Sequence, residues 1–144
     1  MKIFFQLFAM VAFFLGIQLV SANIFHDADA ASETTPGIVE INIRNSTFEF
    51  HGGILRPDQP TRIVIHNLDK IKHGFTSALL AEMDIQVESE GVTTLGKGIK
   101  AVHIDPGKTV QIQFLPNRVG RFSFQCDIHP DMKGEFLVLS IEAI

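Results

Sequence analysis

The chain is 144 residues long, 46% hydrophobic and 19% charged, with a formal net charge of −4 and a single cysteine. That length holds one folded core and excludes tandem domains. The acidic balance excludes a surface built to neutralise nucleic-acid phosphates, and one cysteine excludes an intramolecular disulfide.

Met1-Lys2-Ile3 and the apolar run from Phe4 to Val20 read as a secretory signal, with small residues at Val20-Ser21-Ala22 where a signal peptidase cuts. Residues 1–22 are therefore expected to be a signal peptide cleaved after Ala22. Left uncleaved, the same run is just long enough to anchor the chain in a bilayer, which is the one membrane contact expected. Either way the remainder faces a periplasmic or otherwise exported compartment. Residues 23–37, rich in Ala, Asp, Ser and Thr, read as a flexible lead-in, and the folded domain is placed at 38–144.

From Ile38 onward the apolar residues recur with period two, the signature of half-buried strands. Val39, Ile41 and Ile43 alternate with Glu40, Asn42 and Arg44, and Val110, Ile112 and Phe114 alternate with Gln111 and Gln113. Phe48 and Phe50, Ile63 and Ile65, Val102 and Ile104, Phe122 and Phe124, and the run from Phe136 to Ile141 supply further strands. Turn signals separate them at Gly52-Gly53, Arg56-Pro57-Asp58, Asp105-Pro106-Gly107, Pro116-Asn117 and Val119-Gly120. Short strands with Gly and Pro turns predict an all-β antiparallel sandwich or barrel. The stretch from Ser77 to Lys100 lacks clean alternation and is expected to be a long loop, with a helical turn over Ser77 to Met83. It carries an acidic cluster, Glu82, Asp84, Glu88 and Glu90, that reads as a solvated loop or as a patch steering a basic partner.

Alternation puts Phe122, Phe124 and Cys126 on one strand face, so the thiol points inward at the end of a core strand. The chain then reads Cys126-Asp127-Ile128-His129-Pro130-Asp131-Met132, placing a thiolate, an imidazole and a thioether in one short loop. His73 lies at another strand end. Two histidines, one cysteine and a weak axial methionine form the ligand set of a blue-copper electron-transfer site. Structural zinc takes four firm donors, for which methionine is a poor candidate. A cysteine-nucleophile reading leaves Met132 unexplained, and an iron–sulfur cluster needs more cysteines. His51, His66 and His103 have no partnering motif and read as surface or hydrogen-bonded histidines. Met83 reads as packing.

His73 together with Phe122-Ser123-Phe124-Gln125-Cys126-Asp127-Ile128-His129-Pro130-Asp131-Met132-Lys133-Gly134-Glu135 resembles the copper-binding signature of the cupredoxins. The Cys-x-x-His-x-x-Met spacing, with proline after the histidine, is similar to the compact loop of amicyanin. Asn67-Leu68-Asp69 resembles the turn before the first histidine in small periplasmic members. The resemblance implies a Greek-key β-sandwich with His73, Cys126 and His129 as equatorial ligands and Met132 as the axial ligand of one copper ion cycling between Cu(I) and Cu(II). It implies a monomeric, non-enzymatic, exported electron carrier. Its partner would be a redox protein such as a c-type cytochrome or a membrane oxidoreductase, docking at Ile128 and Pro130 around His129. The alternative is a periplasmic copper-handling or metal-uptake accessory. Two departures stand out. Many members carry an Asn after the first histidine that braces the ligand loop, and here it is Gly74, so the brace is either missing or supplied by backbone. Aromatic hydroxyls common on the cysteine strand are absent, since the chain has no Tyr.

Overall fold

Val39, Ile41 and Ile43 form the inward face of the first strand, β1 (Gly37–Arg44), and are almost completely buried, while Glu40 and Arg44 are exposed. The computed structural model describes residues 35–52 and 54–140; the expected signal segment and most of the lead-in lie outside them. Next in order come β2 (Thr47–Gly52), β3 (Thr61–Asn67), β4 (His73–Ser77), a 3-10 turn at Ala78–Leu80, β5 (Asp84–Ser89) and β6 (Val92–Lys97). The last four strands are β7 (Val102–Ile104), β8 (Thr109–Phe114), β9 (Gly120–Gln125) and β10 (Lys133–Val138).

These strands make two sheets, one of six strands in the order β2-β1-β3-β8-β5-β6 and one of four in the order β10-β9-β4-β7. Ile63, Ile65, Val110, Ile112 and Ile85 extend the buried face of β1 across the larger sheet, and Phe75, Phe124, Phe136 and Val138 face them from the smaller. Each fully buried side chain of this size contributes about 1.5–3 kcal/mol. The expected all-β sandwich is observed with one difference: β1 and β3 pair in parallel, not antiparallel. The chain leaves β2 at the far edge, and Leu55 bridges to Val138 of the smaller sheet before β3 begins. Its amide donates to Leu137 O at 3.1 Å and its carbonyl accepts from Leu139 N at 3.0 Å, which closes that side of the sandwich.

The stretch from Ser77 to Lys100 is not the expected loop. The helical turn is there, capped by Ser77 Oγ accepting from Leu79 N, but the rest is the β5–β6 hairpin, closed by Glu90 and Gly91 at φ of 50° and 79°. Both left-handed values suit a two-residue hairpin turn whose twist matches the strands. The alternation is hidden because β6 is an edge strand exposed at every position, so neither face needs apolar residues. Of the acidic residues, Glu82 precedes the hairpin, Asp84 and Glu88 lie on β5, and Glu90, in the turn, ion-pairs with Lys108. Met83 is buried in the core.

The smaller sheet is built around one ring. Phe124 lies 4.5 Å from Phe136, 5.4 Å from Phe75 and 5.3 Å from Phe48, measured between ring centroids. Removing it leaves a cavity that these three rings and Phe50, 6.3 Å away, line. Phe124→Ala is expected to cost about 3–5 kcal/mol, whereas Leu95→Ala on exposed β6 should change stability by no more than about 0.5 kcal/mol; chemical denaturation of both variants checks the contrast.

Candidate metal centre

His73 opens β4 and Cys126 directly follows β9, and these two strands are neighbours in the smaller sheet. Their antiparallel pairing sets Thr76 opposite Gln125 and Ser77 opposite Phe124. His73 and Cys126 are thereby brought to the same sheet end, where the Gly74 amide, 52 positions before Cys126, donates to its Sγ at 3.1 Å. After Cys126 the chain turns back towards β10, bringing in His129. One ligand atom from each of His73, Cys126 and His129 lies within 4.8 Å of the others. His73 and Cys126 have no solvent exposure, and His129 is half-buried.

The loop after β9 is closed by its own backbone. Cys126 N donates to Met132 O at 3.1 Å, and Met132 N donates to His129 O at 3.0 Å. His129 N donates to Cys126 Sγ at 3.3 Å, and the sulfur lies 3.5 Å from His129 Nδ1. The thiol sulfur thus receives two amide donors, from Gly74 and His129, a feature that tunes a copper–thiolate bond. Met132 is buried in the same loop, 4% exposed.

His73 is oriented by a residue to which the sequence assigned no role beyond its place in a turn motif. Asp69 Oδ2 lies 2.9 Å from His73 Nε2. An ionised carboxylate only accepts, so it places the ring proton on Nε2 and leaves Nδ1 with a free lone pair. Nδ1 is buried and has no hydrogen-bond partner among the described residues. An unpartnered buried nitrogen costs stability on its own, and a metal ion bonded to it removes that cost. This orphaned nitrogen, beside a buried thiol and a second imidazole, fits copper.

Asp69 is itself held by two layers of backbone. Its carboxylate accepts from Asn45 N at 2.7 Å and Ser46 N at 2.9 Å. These two residues form the β1–β2 turn at φ of 50° and 54°, a conformation that side-chain-bearing residues adopt at a cost; the carboxylate offsets part of it. Asn67, fully buried at the end of β3, accepts from Asp69 N at 3.1 Å and donates to Ile71 O at 2.8 Å and Ile104 O at 2.9 Å. The Asn67-Leu68-Asp69 turn therefore ties β3, β7 and the β1–β2 hairpin to one imidazole.

Among the described residues the other histidines supply no atom to the donor cluster: His66 Nδ1 is 2.8 Å from Thr109 Oγ1, and His103, beside the cysteine loop, has Nε2 2.8 Å from Asp127 Oδ2. His51 is exposed on β2. Ile128 is 42% exposed, and Pro130 is exposed beside His129.

A family model described as a cupredoxin-like domain matches residues 7–138. No curated protein matches the sequence. Among solved structures, the fold is similar to the McoA multicopper oxidase from the hyperthermophile Aquifex aeolicus, at 16% identity and a TM-score of 0.57, over 74% of this chain and 30% of that one. It is similar to the laccase from Pediococcus acidilactici at 14% identity and a TM-score of 0.57, over 74% and 27% of the two chains. A mutant amicyanin in its reduced Cu(I) form matches at 19% identity and a TM-score of 0.46, over 74% and 87%. The chain spans about a third or less of the length of the two oxidases.

The latch on His73 has a pH signature. The Ser46 amide holds the Asp69 carboxyl below the usual aspartate value; burial opposes this, and the Asn45 amide and His73 reinforce it. A carboxyl with a depressed folded-state pKa stabilises the fold above its unfolded-state value, and that contribution is lost as the pH falls through the folded-state value. Metal-free protein should therefore lose stability on acidification below about pH 4, and Asp69→Asn should flatten this part of a stability-against-pH curve measured by urea unfolding.

Proposed function

The chain belongs to the cupredoxin-like family, a family that binds copper, and on that premise we propose that it is an exported blue-copper protein that transfers single electrons between redox partners. The observation that carries this reading is the convergence of one buried thiol and two imidazoles at a single sheet end, with the His73 Nδ1 lone pair free. His73, Cys126 and His129, with Met132 from the same loop, would hold one copper ion there. Copper held there supplies one-electron chemistry through its Cu(I) and Cu(II) states.

The protein's part is to keep the donors still. His73 is fixed through Asp69, and the Cys126 sulfur is fixed by the Gly74 and His129 amides. A frame that does not relax between oxidation states keeps the cost of reorganisation low, which is what a carrier requires. His129 is the donor nearest solvent, with Ile128 and Pro130 beside it, and it serves as the electron port for a redox protein such as a c-type cytochrome or a membrane oxidoreductase. Burial of the other two donors favours retention of the metal over hand-off, so a carrier fits better than a copper-handling accessory. With two of the three clustered donors fully buried and Met132 buried in the same loop, the site offers a substrate little access, so a non-enzymatic role fits better than catalysis on the metal.

Cys126→Ser removes the soft covalent donor and is expected to abolish the intense thiolate-to-copper absorption of the loaded protein; a variant that keeps the band overturns the assignment. Met132→Leu is expected to raise the reduction potential and Met132→Gln to lower it, because a stronger axial oxygen donor favours Cu(II). Voltammetry on the pair checks this, and equal potentials would remove Met132 from the metal.

A further inference from the structure

The resemblance to other cupredoxins leaves one mechanical part unaccounted for, the side chain that braces the ligand loop from the position after the first histidine. Glycine occupies that position here, yet the space beside it is not empty. A Cβ placed on Gly74 would lie 1.7 Å from Asp127 Oδ1, 2.9 Å from Asp127 Cγ and 3.2 Å from His103 Cδ2. The first two distances are shorter than any real contact, so the Asp127 carboxylate sits where the side chain of residue 74 would be. Asp127 follows Cys126 directly, and its other oxygen, Oδ2, is 2.8 Å from His103 Nε2. His103 stands opposite Gly74 in the β4–β7 pairing.

We propose that Asp127 and His103 are positioning residues for the metal centre: the Asp127 carboxylate, anchored by His103, closes over bare Gly74 and holds its amide against the Cys126 sulfur. The brace has been moved from the histidine strand to the cysteine loop. Any side chain at residue 74 would have to push the Asp127 carboxylate out of its place against His103, and β7 joins the centre although it contributes no ligand. The consequence is mechanical. The Gly74 amide and the sulfur belong to different strands, and their 3.1 Å hydrogen bond holds only while the loop after β9 stays pressed on β4. Backbone, the substitute expected from the sequence for the missing brace, supplies the donor; the Asp127–His103 pair supplies the pressure.

The proposal rests on the copper reading of the site, and the test separates the two. Full-length protein is compared with His103→Ala, Asp127→Ala, Gly74→Ala, the double variant Gly74→Ala/Asp127→Gly, and a control, His66→Ala, whose partner Thr109 lies in the other sheet. Cu(I) affinity is read by competition with a chelator, the thiolate absorption and reduction potential are read on the loaded protein, and the rate of Cys126 alkylation is read on the metal-free protein. His103→Ala and Asp127→Ala are each expected to weaken Cu(I) binding about 2- to 5-fold, the scale of an exposed ion pair, to shift the absorption and potential, and to speed alkylation; His66→Ala should do none of these. Gly74→Ala alone drives a methyl group into the carboxylate and should weaken binding more than Asp127→Ala does, while the double variant, which vacates that space, should bind better than Gly74→Ala and return to the level of Asp127→Ala. Wild-type affinity, potential and alkylation rate in His103→Ala, which changes an exposed side chain and tests the pair even if Gly74→Ala does not fold, would overturn the proposal. So would a double variant no better than Gly74→Ala. Wild-type protein without thiolate absorption would overturn the copper reading alone, leaving the clip to stand or fall on the alkylation rates.

Discussion

The antiparallel pairing of β4 with β9 is the constraint on which the centre depends. It is a short contact, two residue pairs in register, but it sets His73 and Cys126 at the same end of the same sheet. Everything else at the site either protects that register or extends from it. Phe124, one position from the pairing's end, stacks on Phe75 of β4, so the apolar core and the hydrogen-bond ladder specify the same alignment. A slip by one residue would exchange the inward and outward faces of β9, turning Cys126 out and Gln125 in. The burial of Phe124, Phe75 and Phe136 opposes such a slip by several kcal/mol.

The second requirement follows from burying polar donors. An imidazole with no solvent exposure needs each nitrogen satisfied, and the fold meets half of this with Asp69 and leaves the other half open to a metal ion. Asp69 in turn is shared among two turn amides and the ring. The β1–β2 turn therefore relaxes when the ligand is correctly placed, and the ligand is correctly placed when that turn has formed. Local strain and site geometry are satisfied by one carboxylate, which couples the larger sheet to the metal end of the smaller one.

Much of this was legible in the sequence. Alternation in β1 and β8 is visible because one face of each is buried and the other is wet, and the Cys126-to-Met132 spacing is visible because a single loop carries it. Three things were hidden. The β5–β6 hairpin has an edge strand with no buried face and so no period. The parallel β1–β3 pair leaves no local mark, since parallel and antiparallel neighbours present the same alternation. The partners of the ligands, Asp69 on His73 and His103 on Asp127, depend on contacts across the fold; Asn67-Leu68-Asp69 could be seen as a motif, but not that its carboxylate would reach an imidazole. Gly74 was visible as a departure, and only the structure shows which atoms replace the missing side chain.

The fold is a frame that sets its donors before any metal arrives. Crystal structures of the metal-free and copper-loaded protein test this most directly. In such a frame His73, Cys126 and the Gly74 amide keep their positions to within about 0.5 Å, the tolerance of a preorganised site, with any adjustment confined to His129. A metal-free structure in which Cys126 turns to solvent, or in which His73 leaves Asp69, would contradict it.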